Sequence, residues 1–437
     1  MNMGKTKSEA LKAERDAVIA KSVRTAMDLF VAEATGHTIR DVEGREYLDF
    51  TGGIGVHTTG HRPEAVIRAL KEQLDRYLHL CVMVFNYEPY VELAKRLRAI
   101  SPMKDAKSAF FNSGSEAIEN AVKTARAFTK RPGVISFRNA FHGRTFMCLS
   151  LTGKYKPYKV GFEPFMPHVY QASFPYHYRC SDEHDESECA ERHLATVEDI
   201  FHSQAAADKI AAIVVEPVQG EGGFIVPPKE FFVGLRKLCD ANGIVLVDDE
   251  VQAGMGRTGK MFAIEHFRTT PDLITTAKAL GAGLPISGLT GKPEVMDSPV
   301  PGSIGGTYGG NPLACVAAIE NLKLIEKAIS NASKVERVMT KRLDEIAEGH
   351  VLVGEHRGLG PMRAIELVKD RRTKVPAADE AKAVQREARE RGVLLLTAGT
   401  LDNVIRLLPP LTTPVDVLEK GLDVLDSALA AVEQSVR

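Results

Sequence analysis

FFNSGSEAIENAVKTARAF, residues 110–128, passes from an apolar strand straight into an amphipathic helix. Ala117, Ile118, Ala121, Val122, Ala125 and Phe128 recur at helical spacing, and Glu119 stands four residues before Lys123 as a supporting pair. Ser113 with Glu116 three residues on has the form of a capping box, which puts Gly114 and Ser115 in the first turn. Backbone N–H groups there lack partners within the helix, and the helix dipole favours an anion beside them. Gly114 leaves room for a phosphate to approach. A plain strand-to-helix turn fits the same residues, because capping boxes are common. This segment alone leaves both readings open.

Around it, from about residue 60 to 320, short apolar runs alternate with helical patterns. The candidate strands are SAFF (108–111), GVISF (133–137), AAIVVEPV (211–218), GIVLVDDE (243–250) and DLITTA (272–277). Continuous apolar strands separated by helices predict an α/β fold with a largely parallel sheet covered on both faces. GHTIRDVEGREYLDF (36–50) reads as a hairpin turning at Glu43-Gly44. Helical patterns dominate from Pro312 to Glu348. The tail then gives a helix from about Ala377, strands at VLLLT (393–397) and VIRLL (404–408), and a helix opening at Pro414 after Thr413. We therefore expect a large domain over 61–325 and a smaller α+β domain built from 1–60 and 326–437.

A formal net charge of -1 lacks the basic excess that marks charge-driven nucleic-acid binding, so the expected substrates are small molecules. No apolar run reaches the ~18 residues a membrane-spanning helix requires. Met1 to Ala20 mixes Lys, Glu, Asp and Ala, without the basic-then-apolar layout of a signal peptide, which predicts a cytoplasmic protein. Six scattered cysteines, at 81, 148, 180, 189, 239 and 315, are expected as reduced, buried thiols. His177, Cys180, His184, Cys189 and His193 fall in an acidic insertion, PYHYRCSDEHDESECAERH (175–193). Such ligands can build a zinc site, but none has the tight CxxC spacing; a solvated loop without metal is the expectation.

Two further segments carry candidate chemistry. GIVLVDDEVQAG (243–254) ends a strand in Asp248, Asp249 and Glu250, and ligands of α/β sheets bind beyond the carboxyl ends of strands. At least one of the aspartates is expected merely to cap the next helix or face solvent. Gly254, Gly256 and Gly259 satisfy G-x-G-x-x-G, yet they follow the acids instead of following the strand directly, so a dinucleotide site is rejected. In DLITTAKALGAGLP (272–285), Lys278 follows an apolar run among small residues. A buried lysine of lowered pKa is the usual carbonyl nucleophile, although the segment by itself favours a surface lysine on a loop.

Together and in this order, NSGSEA, FHGRT, EPVQGEGG, VDDEVQAGMGRTG, TTAKALGAGLP and GGTYGGNP resemble the class III pyridoxal-phosphate aminotransferases. The resemblance runs from about Gly36 to beyond Arg406, and the 29 residues from Asp249 to Lys278 fit the family signature. It implies pyridoxal 5′-phosphate and the fold-type I architecture: a large domain with a mixed, mostly parallel sheet, plus a small α+β domain from both chain ends. By the family pattern, Lys278 would join the cofactor and shuttle the proton, and Asp249 would pair with the ring nitrogen. Phe141 and Val251 would sandwich the ring, and Gln252 would bond its hydroxyl. Gly114 and Ser115 would hold the phosphate, with Thr307 reaching it from a partner subunit in a homodimer or dimer of dimers. Arg144 would clamp the distal carboxylate of the amino donor. Glu221 would pair with Arg406 until a 2-oxo acid acceptor brings a second carboxylate. Glu216 would lie near the cofactor's edge, and His142 is expected only as a packed, hydrogen-bonded imidazole.

Within the class, the chain is similar to the 4-aminobutyrate branch. FHGRT leads into SLTGKYKPYKVGFEPFMP (150–167), and GGIGV (52–56) places Ile54 at the substrate pocket. An acetylornithine or ornithine aminotransferase is the competing expectation, which Ile54 disfavours. The same site would accept 5-aminovalerate or 3-amino-2-methylpropionate.

Overall fold

A computed structural model describes residues 6–180 and 185–436. A seven-stranded sheet runs, edge to edge, Lys107–Phe111, Ser287–Gly291, Leu273–Thr276, Val245–Asp249, Ile210–Val215, Gly133–Phe137 and Val169–Ala172. From Leu273–Thr276 onward all neighbours are parallel. Ser287–Gly291 alone runs antiparallel to both its neighbours. The expected mixed, mostly parallel sheet is therefore present.

Why the central strands read as continuous apolar runs is plain from their two faces. Ile213, Leu246 and Ile274 pack with Phe231, Phe232 and Leu235 of the helix Lys229–Asn242. Val214, Val247 and Leu273 turn the other way, onto Ile118, Ala121, Val122 and Ala125 of the helix Gly114–Thr129. Side chains alternate across a strand, so both faces must be apolar where both are covered.

The chain ends meet in a separate core. One four-stranded sheet joins Val31–Thr35, Thr38–Asp41 and Glu46–Asp49 to Val393–Leu394, and a second joins Val353–Leu359, Met362–Leu367, Val404–Leu407 and Leu396–Ala398. The 38-residue helix Pro312–Gly349 connects the two parts. Its first half gives Cys315, Leu322 and Ile325 to the large core, and its second half gives Val335, Met339 and Leu343 to the small one. The expected division at 325/326 falls inside this helix. No helix among the described residues is long and apolar enough to cross a membrane.

Phe50, from the N-terminal segment, is 1% exposed and packs with Leu418, Leu422 and Leu425 of the C-terminal helix Val415–Val436. Gly421 makes that approach possible, since a Cβ there would lie 2.2 Å from Phe50 Cζ. Overpacking of this kind costs about 1–3 kcal/mol. Against it, the helix gains less than about 1 kcal/mol when glycine is replaced by a β-branched residue. Gly421→Val should therefore lower the urea midpoint of unfolding, and an unchanged or raised midpoint would show that the helix and Phe50 are not in contact.

Candidate active site

A cavity of about 330 Å³ opens at the carboxyl ends of the central strands. Ser113, Gly114 and Ser115 line it from one helix start, Asp249 and Val251 from the end of Val245–Asp249, and Lys278 from the end of Leu273–Thr276. The capping box forms as its spacing predicts: Ser113 Oγ accepts from Glu116 N–H at 3.3 Å, and the Glu116 carboxylate accepts from Ser113 N–H at 3.2 Å. The first-turn N–H groups of Gly114 and Ser115 have no partner inside the helix. Gly143 closes on them at φ 127°, where a Cβ would lie 2.1 Å from Ser115 Oγ, so only glycine fits.

Of the three acids at the strand end, only Asp249 lines the cavity. Its Oδ1 accepts from Val251 N–H at 3.1 Å and Thr275 Oγ1 at 3.2 Å, and its Oδ2 lies 2.7 Å from His142 Nδ1. Burial alone would lower the His142 imidazole, but the hydrogen bond and charge of Asp249 outweigh it and hold the ring above its ordinary value. The imidazole is packed and hydrogen-bonded as expected. Its partner, 107 residues away, is one that adjacency to Phe141 gave no means of naming. Asp248 and Glu250 overturn the expectation that an acid here caps a helix or meets solvent. Both are buried at 1% exposure or less, and Glu250 Oε1 accepts from Ile264 N–H at 2.8 Å. Burial raises both carboxyls, Glu250 to about 8.

Glu216 is buried at the cavity wall, accepting from Phe141 N–H at 2.9 Å and Gly220 N–H at 3.0 Å, and burial pushes its carboxyl up to about 7. Phe141 and Gln252 also line the cavity. Lys278 sits at φ 44° in a short turn, Lys278–Gly281. Burial lowers its amine below the ordinary lysine value, and it forms no hydrogen bond or ion pair with the described residues.

A second cluster stands beyond the lining of this cavity. Arg406 Nη1 meets Glu221 Oε1 at 2.5 Å. Burial alone would raise the Glu221 carboxyl, but Arg406 and Lys278 outweigh it and pull it down to about 2. Arg144 lies exposed, its Cζ 4.8 Å from the centre of the Tyr158 ring. Ile54 is 41% exposed at φ 60°, a left-handed conformation that a β-branched residue rarely takes. From that same turn it is Val56 that reaches the cavity. Thr307 is exposed and is not among the cavity residues of its own chain.

The class-III aminotransferase family model matches residues 18–429. The chain belongs to the class-III aminotransferases. It is 43% identical to a probable 4-aminobutyrate aminotransferase of Bacillus subtilis, over 96% of this chain and 97% of the relative. It is 46% identical to a 5-aminovalerate aminotransferase of Pseudomonas aeruginosa, over 97% and 98%. Among solved structures it is similar to an amine transaminase from an uncultivated Pseudomonas species in its PLP-bound form. That pair shares a TM-score of 0.88 and 31% identity, over 95% of this chain and 98% of that one.

One feature of this aminotransferase departs from the sequence expectation outside the cavity. Cys180 and Cys189 are joined as a disulfide with Cα atoms 6.7 Å apart, so they are not free thiols. His193 lies one helical turn beyond Cys189, and one ligand atom from each of the three residues falls within 4.8 Å of the others. The described residues before Cys180 are tied to the small domain. Arg179 Nε donates to Glu366 Oε1 at 2.8 Å and Lys374 Nζ donates to Tyr178 O at 2.9 Å, which carries Cys180 back over the helix Glu186–Ser203. His184 lies outside the described residues. Cys81, Cys148, Cys239 and Cys315 are free. Titration of the protein, purified without reductant and then unfolded, should count four thiols, rising to six after reduction. Six at the outset would mean that the pair is not oxidised.

Proposed function

We propose that this aminotransferase moves the terminal amino group of 4-aminobutyrate to 2-oxoglutarate, giving succinate semialdehyde and glutamate, with pyridoxal 5′-phosphate as cofactor. The donor set fits that group. The open helix start at Gly114 and Ser115 suits the phosphate. The Asp249 carboxylate, held by three partners, suits a protonated ring nitrogen, and Phe141 and Val251 stand at hand for the ring faces. Gln252 is available to the ring hydroxyl. Lys278, with its lowered amine, suits covalent attachment. When bound, the cofactor supplies an electron sink for the substrate carbon that gives up its proton. Lys278 Nζ takes that proton and returns it one position along, while Asp249 keeps the ring-nitrogen proton in place.

The observation that carries the substrate assignment is the Glu221–Arg406 pair. 4-Aminobutyrate offers one carboxylate, at the end away from the amine, and Arg144 suffices for it. Glutamate and 2-oxoglutarate bring a second carboxylate beside the reacting carbon, which needs Arg406. Leaving Arg406 buried and unpaired with the first substrate would cost several kcal/mol. Glu221 removes that cost and swings away for the second.

Thr307 serves the phosphate only if a second copy supplies it. Tyr308, at 63% exposed, and the exposed Met83, Val84 and Phe85 support a homodimer or dimer of dimers, which we place in the cytoplasm. A second reading, 5-aminovalerate as the amino donor, is favoured by the 46% identity to an aminotransferase named for it; that substrate is one methylene longer. A donor panel with 2-oxoglutarate and pyruvate as acceptors separates the two.

Lys278→Ala should bind the cofactor but leave no borohydride-reducible bond and turn over no substrate. Near-normal activity would end this reading. Glu221→Ala should slow the 4-aminobutyrate half-reaction by at least about tenfold more than the glutamate half-reaction, each followed in a single turnover by the cofactor's absorbance. Equal losses on both sides would make Glu221 a structural residue only.

A further inference from the structure

Tyr158 is part of neither the cofactor set nor the clamp, yet it touches both. Its hydroxyl donates to Glu221 Oε2 at 3.4 Å, while Oε1 of the same carboxylate takes Arg406 at 2.5 Å. Its ring lies 4.8 Å from Arg144 Cζ, within cation–π reach, and 4.9 Å from the ring of Phe141, tilted by 58°. We propose that Tyr158 is a positioning residue that ties the Arg144 clamp to the Glu221–Arg406 pair and biases the site toward amino acids with a single carboxylate. This rests on the roles given to Arg144 and Glu221 above.

The phenol is held in place by its segment. On one side Lys154 Nζ donates to Gly399 O at 2.9 Å and to Asp402 Oδ1 at 2.5 Å, and on the other Lys159 Nζ donates to Thr152 O at 2.8 Å. Gly399 N–H in turn donates to Glu221 O at 3.0 Å, so the loop that anchors Tyr158 also anchors the backbone of Glu221. Burial, with Glu221 nearby, pushes the phenol up to about 12, which leaves it a proton donor across the neutral range.

The bias follows from which arrangement the hydroxyl can reach. With Glu221 on Arg406, both carboxylate oxygens have donors, one from Arg406 and one from Tyr158. When a second substrate carboxylate claims Arg406, Glu221 loses both at once. The hydroxyl therefore favours the arrangement used by 4-aminobutyrate or 5-aminovalerate and opposes the one used by glutamate. The ring acts differently: it orients Arg144, which both kinds of substrate use for the distal carboxylate.

Tyr158→Phe keeps the ring and removes only the hydroxyl, so it separates the two effects. In single-turnover half-reactions of the holoenzyme, the kcat/KM ratio of 4-aminobutyrate to glutamate should fall about five- to tenfold, with most of the change on the 4-aminobutyrate side. Tyr158→Leu should in addition raise KM for both substrates. Placed on Glu221→Ala, Tyr158→Phe should leave the ratio where Glu221→Ala alone puts it, because the hydroxyl has lost its partner. Equal losses on both substrates at an unchanged ratio, or a full further drop in the Glu221→Ala background, would overturn the proposal. Should Tyr158→Leu not fold, Tyr158→Phe decides alone. If the unaltered enzyme reacts with neither ω-amino acid, it is the function reading that fails; if it reacts and the ratio holds, only the role of Tyr158 fails.

Discussion

An ionised carboxylate buried at the end of a strand persists only if the fold brings it enough donors to offset its lost hydration, several kcal/mol for an isolated ion. Asp249 is met by three, and each comes from a different part of the chain. Val251 N–H belongs to the turn after its own strand, Thr275 to the neighbouring parallel strand, and His142 to the loop after Gly133–Phe137. That convergence requires the order of the central sheet and the close passage of Gly143 over Ser115. The carboxylate and the open helix start at Gly114 and Ser115 are thus fixed by one arrangement of strands and one glycine.

Its two acidic neighbours show the opposite resolution of the same problem. Strand periodicity turns Asp248 and Glu250 away from the cavity, into the side of the sheet packed on the helix Lys229–Asn242. Among the described residues no ion pair reaches them there, and burial raises both carboxyls above their ordinary values, Glu250 to about 8. Were they ionised, two more negative charges would press on Asp249. Three acids in a row thus have different surroundings, and the pleat decides which one faces the cavity.

The pleat also marks how far the sequence could be read. Runs such as GVISF and DLITTA were legible because burial on both faces demands unbroken apolar character, and the capping box because its spacing is local. Val169–Ala172 and Ser287–Gly291 were not, since VYQA and SGLTG are too short or too glycine-rich to declare a strand without their neighbours. Among site residues, Asp249 and Lys278 stood at strand ends, but the family pattern singled them out, since position alone did not separate Asp249 from Asp248 and did not distinguish Lys278 from a surface lysine. His142 and Tyr158 were hidden, because their meaning lies in partners far along the chain. The Cys180–Cys189 contact was hidden too, because a nine-residue separation does not by itself express a pairing.

Arg406 belongs to a strand of the smaller core, Val404–Leu407, while Glu221 lies in the loop after Ile210–Val215 of the larger sheet. The ion pair between them therefore crosses from one core to the other, and so do the bonds around it. Gly399 N–H reaches Glu221 O, and Lys154 reaches Gly399 O. Leu408 N–H, just past Arg406, is anchored on Phe50 O, so the strand end that carries the arginine is pinned to the N-terminal segment that also carries Ile54. The Glu221–Arg406 pair and its supports are thus built from both chain ends as well as the large sheet. A shift of the small core against the large one changes the Glu221–Arg406 distance without breaking the three contacts of Asp249, which lie within the large sheet and its loops. The Glu221–Arg406 contact is on that account more adjustable than the surroundings of Asp249.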